Sequence, residues 1–284
     1  MKKILVPTDF SSNAWNAVCY ALDFFKDEEC TFYFLHTYIP HFYRTDYTMG
    51  GVAMYSTPDA LRQISLAGLE KTLTNVKERY SNSKHSYECL SAFNLLTDEI
   101  NEVVAREKID LVVMGTQGAT GSKEIFLGTN AVFTIRKAKV PVLVIPEKSM
   151  FHELEKILFP TDYMTFYKRR ELKPMIRMAK ARNAKITVLH VVGERELTEK
   201  QKSNREFLDE CLEETDHHFK EIHKQLMPDA IHNYIRDNDF NMLAMMKRKH
   251  SFLERLLLKQ NVDSIGFHVK IPFLVMPDTA KISY

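Results

Sequence analysis

The sequence predicts an α/β protein made of two tandem open parallel sheets, each of five strands with helices on both faces. Three observations carry that expectation: an internal repeat, short apolar runs alternating with helical patterns, and strands that are apolar without alternation. Ile4-Leu5-Val6-Pro7-Thr8-Asp9-Phe10 recurs as Ile157-Leu158-Phe159-Pro160-Thr161-Asp162-Tyr163, an offset of 153. Val140-Pro141-Val142-Leu143-Val144-Ile145-Pro146 recurs as Ile271-Pro272-Phe273-Leu274-Val275-Met276-Pro277, an offset of 131, so the second copy is shorter by 22 residues. Two copies of one structural unit follow, and 284 residues accommodate two domains of roughly 150. The join lies near 147–152, giving domains 1–147 and 148–284.

In the first copy, β-branched and aromatic runs predict strands at 3–7, 31–36, 86–92, 110–114 and 141–145. Helical patterns fill the gaps. One runs from Ser11 to Phe25. A second, from Asp59 to Tyr80, spaces Leu61, Ile64, Leu69, Leu73 and Val76. A third is capped by Thr97 and carries Ile100, Val103 and Val104, and a fourth after Gly128-Thr129 carries Val132, Phe133 and Ile135. Strand–helix alternation implies βαβ units with right-handed crossovers. The run Asp110-Leu111-Val112-Val113-Met114 lacks a polar face, as a sheet covered on both sides requires. Phe34-Leu35-His36 pairs with Val188-Leu189-His190 at offset 154, whereas Ile100 pairs with Ile231 at 131. The shortening therefore falls between the second and third strands, where the first copy holds Tyr38 to Asp59, read as a long irregular loop. Pro174, opposite Ala21, predicts that the second copy's first helix starts late or kinks.

Hydrophobic residues make up 45% and charged residues 27%, with 39 basic against 37 acidic side chains. That is a globular composition, and a net charge of +2 gives no electrostatic case for nucleic acid. Pro7-Thr8-Asp9 interrupts the opening apolar run, so neither a signal-peptide core nor a membrane span is expected, and the cytoplasm is the expected location. Cys19, Cys30, Cys89 and Cys211 lack any C-x-x-C spacing and read as reduced, buried thiols.

Only nine glycines occur, and Gly115, Gly118, Gly121 and Gly128 fall within fourteen residues. They follow an apolar strand and precede a helix. Glycine admits positive φ and close backbone approach, and the peptide N–H groups of such a loop, with the helix start at Gly128-Thr129, can face phosphate oxygens. Thr129 adds a hydroxyl at the capping position. The location is the carboxyl end of the strands, where open α/β sheets bind ligands. The plainer reading, tight turns and a helix cap, stands at even weight on spacing alone. Neither a Walker A loop nor the dinucleotide fingerprint fits, since no Gly-Lys-Ser/Thr follows and the loop comes after the fourth strand.

Gly115-x-x-Gly118, nine residues, then Gly128-Thr129 resembles the G-2x-G-9x-G-(S/T) pattern of the ATP-binding universal stress proteins. Lys3 to Asp9, Leu35-His36, Asp110 to Gly115 and Pro141 to Val144 resemble family signatures as well, and the similarity runs across both halves. The resemblance implies a Rossmann-like sheet of order 3-2-1-4-5, dimer-like pairing through the last strand and a stress-response regulatory role with ATP, with or without Mg²⁺, as ligand. It also implies residue roles. Asp9, after Pro7 and Thr8, would contact the adenosine, Thr37 would offer backbone groups to adenine, and Met114 and Gly115 would line base and ribose. Gly118, Gly128, Thr129 and Asn130 would hold the phosphates. For Asp9 the competing role is capping of the helix from Ser11.

In the second copy Met246, Lys249, Phe252, Lys259 and Gln260 stand where Gly115, Gly118, Gly121, Gly128 and Thr129 stand in the first. Side chains there disfavour positive φ and occupy phosphate space, so that copy is expected not to bind ATP in this manner. Lys247-Arg248-Lys249-His250 and Lys259 read as a solvated face, against the sharper idea that Lys249 or Lys259 fills a vacated phosphate pocket. His217, His218 and His223 lie too far apart along a strand for joint metal ligation. His36 and His190 end equivalent strands and read as packing, and Met242, Met245 and Met246 as core.

Three functions compete: a nucleotide-binding regulator read out through domain arrangement or an unidentified protein partner, a slow ATPase or phosphotransferase, and an interaction module without nucleotide. Phosphoryl transfer needs charge around the γ-phosphate, and the loop offers only Lys123. Two domains pairing through their last strands would make the chain an intramolecular pseudo-dimer, with a homodimer of chains as a further option.

Overall fold

The computed structural model describes residues 1–39, 57–116, 127–192, 196–223, 227–248, 253 and 270–279. The first half runs β1 (Lys2–Pro7), α1 (Ser12–Phe24), β2 (Cys30–Thr37), α2 (Pro58–Arg79), β3 (His85–Ala92), α3 (Leu96–Glu107), β4 (Leu111–Gly115), α4 (Thr129–Lys137) and β5 (Val142–Ile145). The second half follows as β6 (Lys156–Pro160), α5 (Arg169–Arg182), β7 (Lys185–Val192), α6 (Glu199–Leu212), β8 (His217–His223), α7 (Met227–Asn238), β9 (Met242–Met246) and β10 (Phe273–Met276). Each strand expected in the first copy appears within one residue of its expected bounds.

The strands join into one open sheet of order β3-β2-β1-β4-β5-β10-β9-β6-β7-β8. Every pairing is parallel except β5 with β10, where Leu143 faces Leu274 in antiparallel register between Val144–Phe273 and Val142–Val275. Each half thus shows the implied 3-2-1-4-5 order, and the last strands meet about a pseudo-twofold at Leu143. All four residues of β5 and of β10 are buried, so each four-residue strand relies on helices from both faces. The two faces form two cores, each continuous across both halves: one holds Ile4, Leu143, Phe159 and Leu274, the other Leu5, Val144, Leu158 and Val275. Met242, Met245 and Met246 are core, as read.

Several local expectations need correction. The helix α2 has 22 residues against 14 in α6, so part of the shortening lies in the helix. The stretch read as a loop falls outside the described residues over 40–56. Ile64 is 61% exposed, while Leu69 and Val76 are buried. Thr97 caps nothing: Leu95 is the N-cap of α3, held by Asn94, whose Oδ1 accepts the Leu95 N–H at 2.8 Å while its amide donates to Glu99. Cys89 is exposed on the edge strand β3 and Cys19 half-buried, although all four thiols are free. His217 to His223 do form a strand, β8, in which His217 pairs with Asp209 at 2.8 Å.

Pro174 does delay its helix: α5 begins at Arg169, four residues after position 165, the equivalent of Ser12. The proline still lies inside the helix. The displaced segment drops Tyr167 into the core, where its hydroxyl meets the Thr161 hydroxyl at 2.8 Å; burial pushes that phenol far above the ordinary tyrosine range.

Candidate functional site

Both copies build the same turn after their first strand. The Thr8 hydroxyl accepts the Phe10 N–H at 3.0 Å, and the Thr161 hydroxyl accepts the Tyr163 N–H at 3.1 Å. Phe10 and Tyr163 both take left-handed backbone, with φ of 64° and 54°, uncommon for an aromatic residue and held by these hydrogen bonds. Asp9 does not cap the helix itself. Its Oδ1 accepts the Ser11 N–H and hydroxyl at 3.1 and 2.6 Å, and Ser11 is the N-cap, accepting the Ala14 N–H at 3.2 Å. Thr8 and Asp9 are thus turn-forming residues in the first instance, as Thr161 and Asp162 are in the second copy.

The turn aims the Phe10 ring at His36, with centroids 4.4 Å apart and planes 28° apart. The same ring lies against Gly68 of α2, where an added Cβ would come within 2.4 Å of it. Gly68→Val should therefore displace the ring, the movable end of a side chain that is 37% exposed, at a cost near the low end of the roughly 1–3 kcal/mol of overpacking; urea denaturation measures it, and an unchanged midpoint would contradict the packing. His36 Nδ1 shares a 2.9 Å hydrogen bond with Ser65, and Ser65 Oγ lies 2.7 Å from Ser91 Oγ. Burial lowers the His36 pKa from 6.5, partly opposed by Asp9. The unfolded chain then binds the proton more readily, so stability should fall as pH drops from 6.5 toward the depressed folded value. Denaturation midpoints in that window should depend less on pH in His36→Gln, and equal slopes would refute the assignment.

The glycine loop springs from β4. Met114 is buried, and Gly115 closes against α1, where an added Cβ would lie 2.9 Å from the Asn13 amide. Close helix–strand approach, not positive φ, is what Gly115 permits. Thr116 donates its N–H to the Ile145 carbonyl, and Gly128 donates to the Thr116 carbonyl, so the loop is pinched at its base over a buried Leu127. Gly118 and Gly121, with Lys123, lie outside the described residues.

Gly128 is the N-cap of α4 with φ −62° and ψ 157°, ordinary extended backbone, so Thr129 is the first helical residue and not the cap as the sequence reading had it. Thr129 and Asn130 are exposed. Of the four helices in the first half, α4 alone has neither a side-chain cap nor an acidic residue in its first turn. Among the described contacts no side chain caps its leading N–H groups, and the positive end of its dipole lies there. Pro7, Thr8 and Asp9 end β1, Thr37 ends β2 beside Ala92, and Met114 and Gly115 end β4, so these residues and the start of α4 share one rim of the sheet. Phe10, Asn13 and His36 belong to that rim as well. Only their partners in space reveal this, although the matched aromatics Phe10 and Tyr163 were a signal in the repeat.

The corresponding rim of the second copy keeps a cleft, with different side chains around it. Pro160, Asp162, Met245, Met246 and Arg248 line it. Arg248 pairs with Glu171 and reaches the Phe166 carbonyl and Asp278 at 3.1 and 3.5 Å. Glu171 is 2% exposed and also accepts the Thr279 N–H and hydroxyl and the Lys168 N–H. Lys249, Lys259 and Gln260 fall outside the described residues.

Comparison with known proteins agrees with this architecture. A model of the universal stress protein family matches twice, over residues 1–146 and 153–277. Two universal stress proteins of Methanocaldococcus jannaschii are 30% and 27% identical over 51% and 52% of this chain, covering 81% and 96% of their own lengths. The crystal structure of a universal stress protein from Archaeoglobus fulgidus superposes over 97% of this chain and 96% of its own, with a TM-score of 0.69 at 19% identity. No helix among the described residues is long and apolar enough to cross a membrane. With the family matched once in each half and the sheet order common to both, the chain belongs to the universal stress protein family, as a tandem of two of its domains.

Proposed function

We propose that the first domain binds an adenine nucleotide, ATP in the first instance, and that the protein is a stress-response regulator whose domain arrangement or partner surface answers to that ligand. The observation that carries this reading is the start of α4, which no side chain caps among the described residues, with Gly128 at its cap and Thr129 and Asn130 exposed, on the same strand-end rim as Gly115. Phosphate oxygens are the natural partners of such a helix end. Asp9, Thr37 and Met114 on the same rim suit the adenosine part, and Gly118 would complete the loop. Mg²⁺ would accompany the phosphates as their counterion. The second domain is not expected to share the role: Met246, Lys249 and Lys259 stand at the positions of Gly115, Gly118 and Gly128, and the cleft on its rim is lined by Met246 and by Arg248, which pairs with Glu171.

A regulatory ligand acts only through different affinities for two arrangements of the protein. Calorimetry of the intact chain with Mg-ATP, ADP and AMP tests the reading. Saturable binding of ATP, tighter than AMP and lost in Gly118→Ala, supports it. No heat with any of the three overturns it.

A further inference from the structure

The two helices that begin at the proposed nucleotide site both end on a cation supplied by the other domain. The helix α1 starts just after Asp9 and places Asn13 against Gly115, and α4 starts at Gly128. At the far end of α1, Arg182 of α5 donates to the Phe24 carbonyl, with its guanidinium 5.0 Å from the Phe24 ring centroid. The last turn of α1 has no basic residue of its own, whereas that of α4 holds Arg136 and Lys137, to which Lys247 adds a cation that meets the carbonyls directly. Arg182 is 10% exposed along its side chain and is held by Asp27, Glu28 and Glu153 at 3.7–3.9 Å. At the far end of α4, the Lys247 ammonium donates to the Arg136 and Ala138 carbonyls at 3.1 and 2.9 Å. Lys247 follows β9 directly, and its own N–H is fixed to the Met276 carbonyl at 2.8 Å, so the sheet of the second domain sets where this charge sits.

We infer that the second domain tunes the nucleotide affinity of the first by capping α1 and α4 at their C-termini, with Lys247 and Arg182 as positioning residues. This rests on the nucleotide reading given above. A helix C-terminus leaves its last carbonyls without intrahelical partners, and a cation there satisfies them and opposes the negative end of the dipole. A helix pinned at its C-terminal end presents its first-turn N–H groups in a fixed place, so a phosphate meets donors already ordered. The residues bridge 158 and 111 positions of sequence. The domain that has lost its glycines would thus retain a part in binding, acting from the opposite end of the same helices. Coupling of this kind is reciprocal, so bound nucleotide should tighten the domain contact in return.

Calorimetric ATP affinity of the intact chain decides the matter. Lys247→Met should weaken binding roughly fivefold, within the range of a partly buried helix-end charge, while Lys247→Arg stays within about twofold because the charge is kept. Arg182→Gln should weaken it as well, as a second variant should Lys247→Met fold poorly. Lys185→Met removes a cation of the same domain that pairs only with Asp216 at 3.7 Å among the described contacts, and should leave affinity unchanged. Wild-type affinity in folded Lys247→Met and Arg182→Gln would overturn the inference while the nucleotide reading survives. A wild-type chain that takes up no ATP would refute that reading itself, and the inference with it.

Discussion

Gly128→Asp should leave the fold intact, or slightly stabilise it, and weaken ATP binding at least a hundredfold. The backbone at Gly128 is extended, with φ −62° and ψ 157°, a conformation open to any residue and typical of an N-cap. Aspartate is among the best caps, a few tenths of a kcal/mol better than glycine, and its charge suits the helix dipole. The same carboxylate would accept the first-turn N–H groups that a phosphate needs. It would also repel that phosphate: like charges about 4 Å apart near a protein surface cost roughly 4 kcal/mol. Stability and binding should therefore move in opposite directions. Thermal denaturation and calorimetry on one preparation read both, and ATP binding unchanged in Gly128→Asp would show that glycine here serves the turn and nothing else.

Glu171→Ala should be the most damaging single change in the second domain, lowering stability by about 3–5 kcal/mol. Glu171 is buried and accepts hydrogen bonds from Arg248, from the Thr279 N–H and hydroxyl, and from the Lys168 N–H. Its removal takes from the Arg248 guanidinium, 14% exposed, the carboxylate that lies nearest to it among the described contacts, with Asp278 at 3.5 Å. The loss should come mainly from that uncompensated charge, so Glu171→Leu combined with Arg248→Met should recover much of it. Urea denaturation of the two variants tests this. A loss below about 1 kcal/mol in Glu171→Ala would place the pair in effectively aqueous surroundings.

The strands and the repeat were readable because β1, β2 and β4 are buried on both faces and so appear as unbroken apolar runs. The glycine cluster was readable because so few glycines occur elsewhere. Caps were read less well. Thr97 and Thr129 are good capping residues by type, yet the chain enters α3 at Leu95 and α4 at Gly128, and entry points are set by the preceding turn, not by residue preference. Glu171 is marked in the sequence by its spacing: it shares the helical row of Met175 and Ala179, both buried, and a carboxylate on such a row must have a partner. The expectation that Lys247 and Arg248 belong to a solvated face is corrected: Lys247 donates to the Arg136 and Ala138 carbonyls and Arg248 is 14% exposed beside Glu171. The carbonyls that Lys247 and Arg182 meet carry no residue identity, so these contacts emerge only once β5 and β10 are paired.

In this reading the two domains are an uneven pair: the first offers a nucleotide the glycine-capped start of α4, and the second has Met246, Lys249 and Lys259 at the matching glycine positions. Native mass spectrometry of the intact chain titrated with ATP counts the ligand directly. One added nucleotide per chain, absent in Gly128→Asp, is the expected result. Two nucleotides per chain, or one that persists in Gly128→Asp, would contradict it.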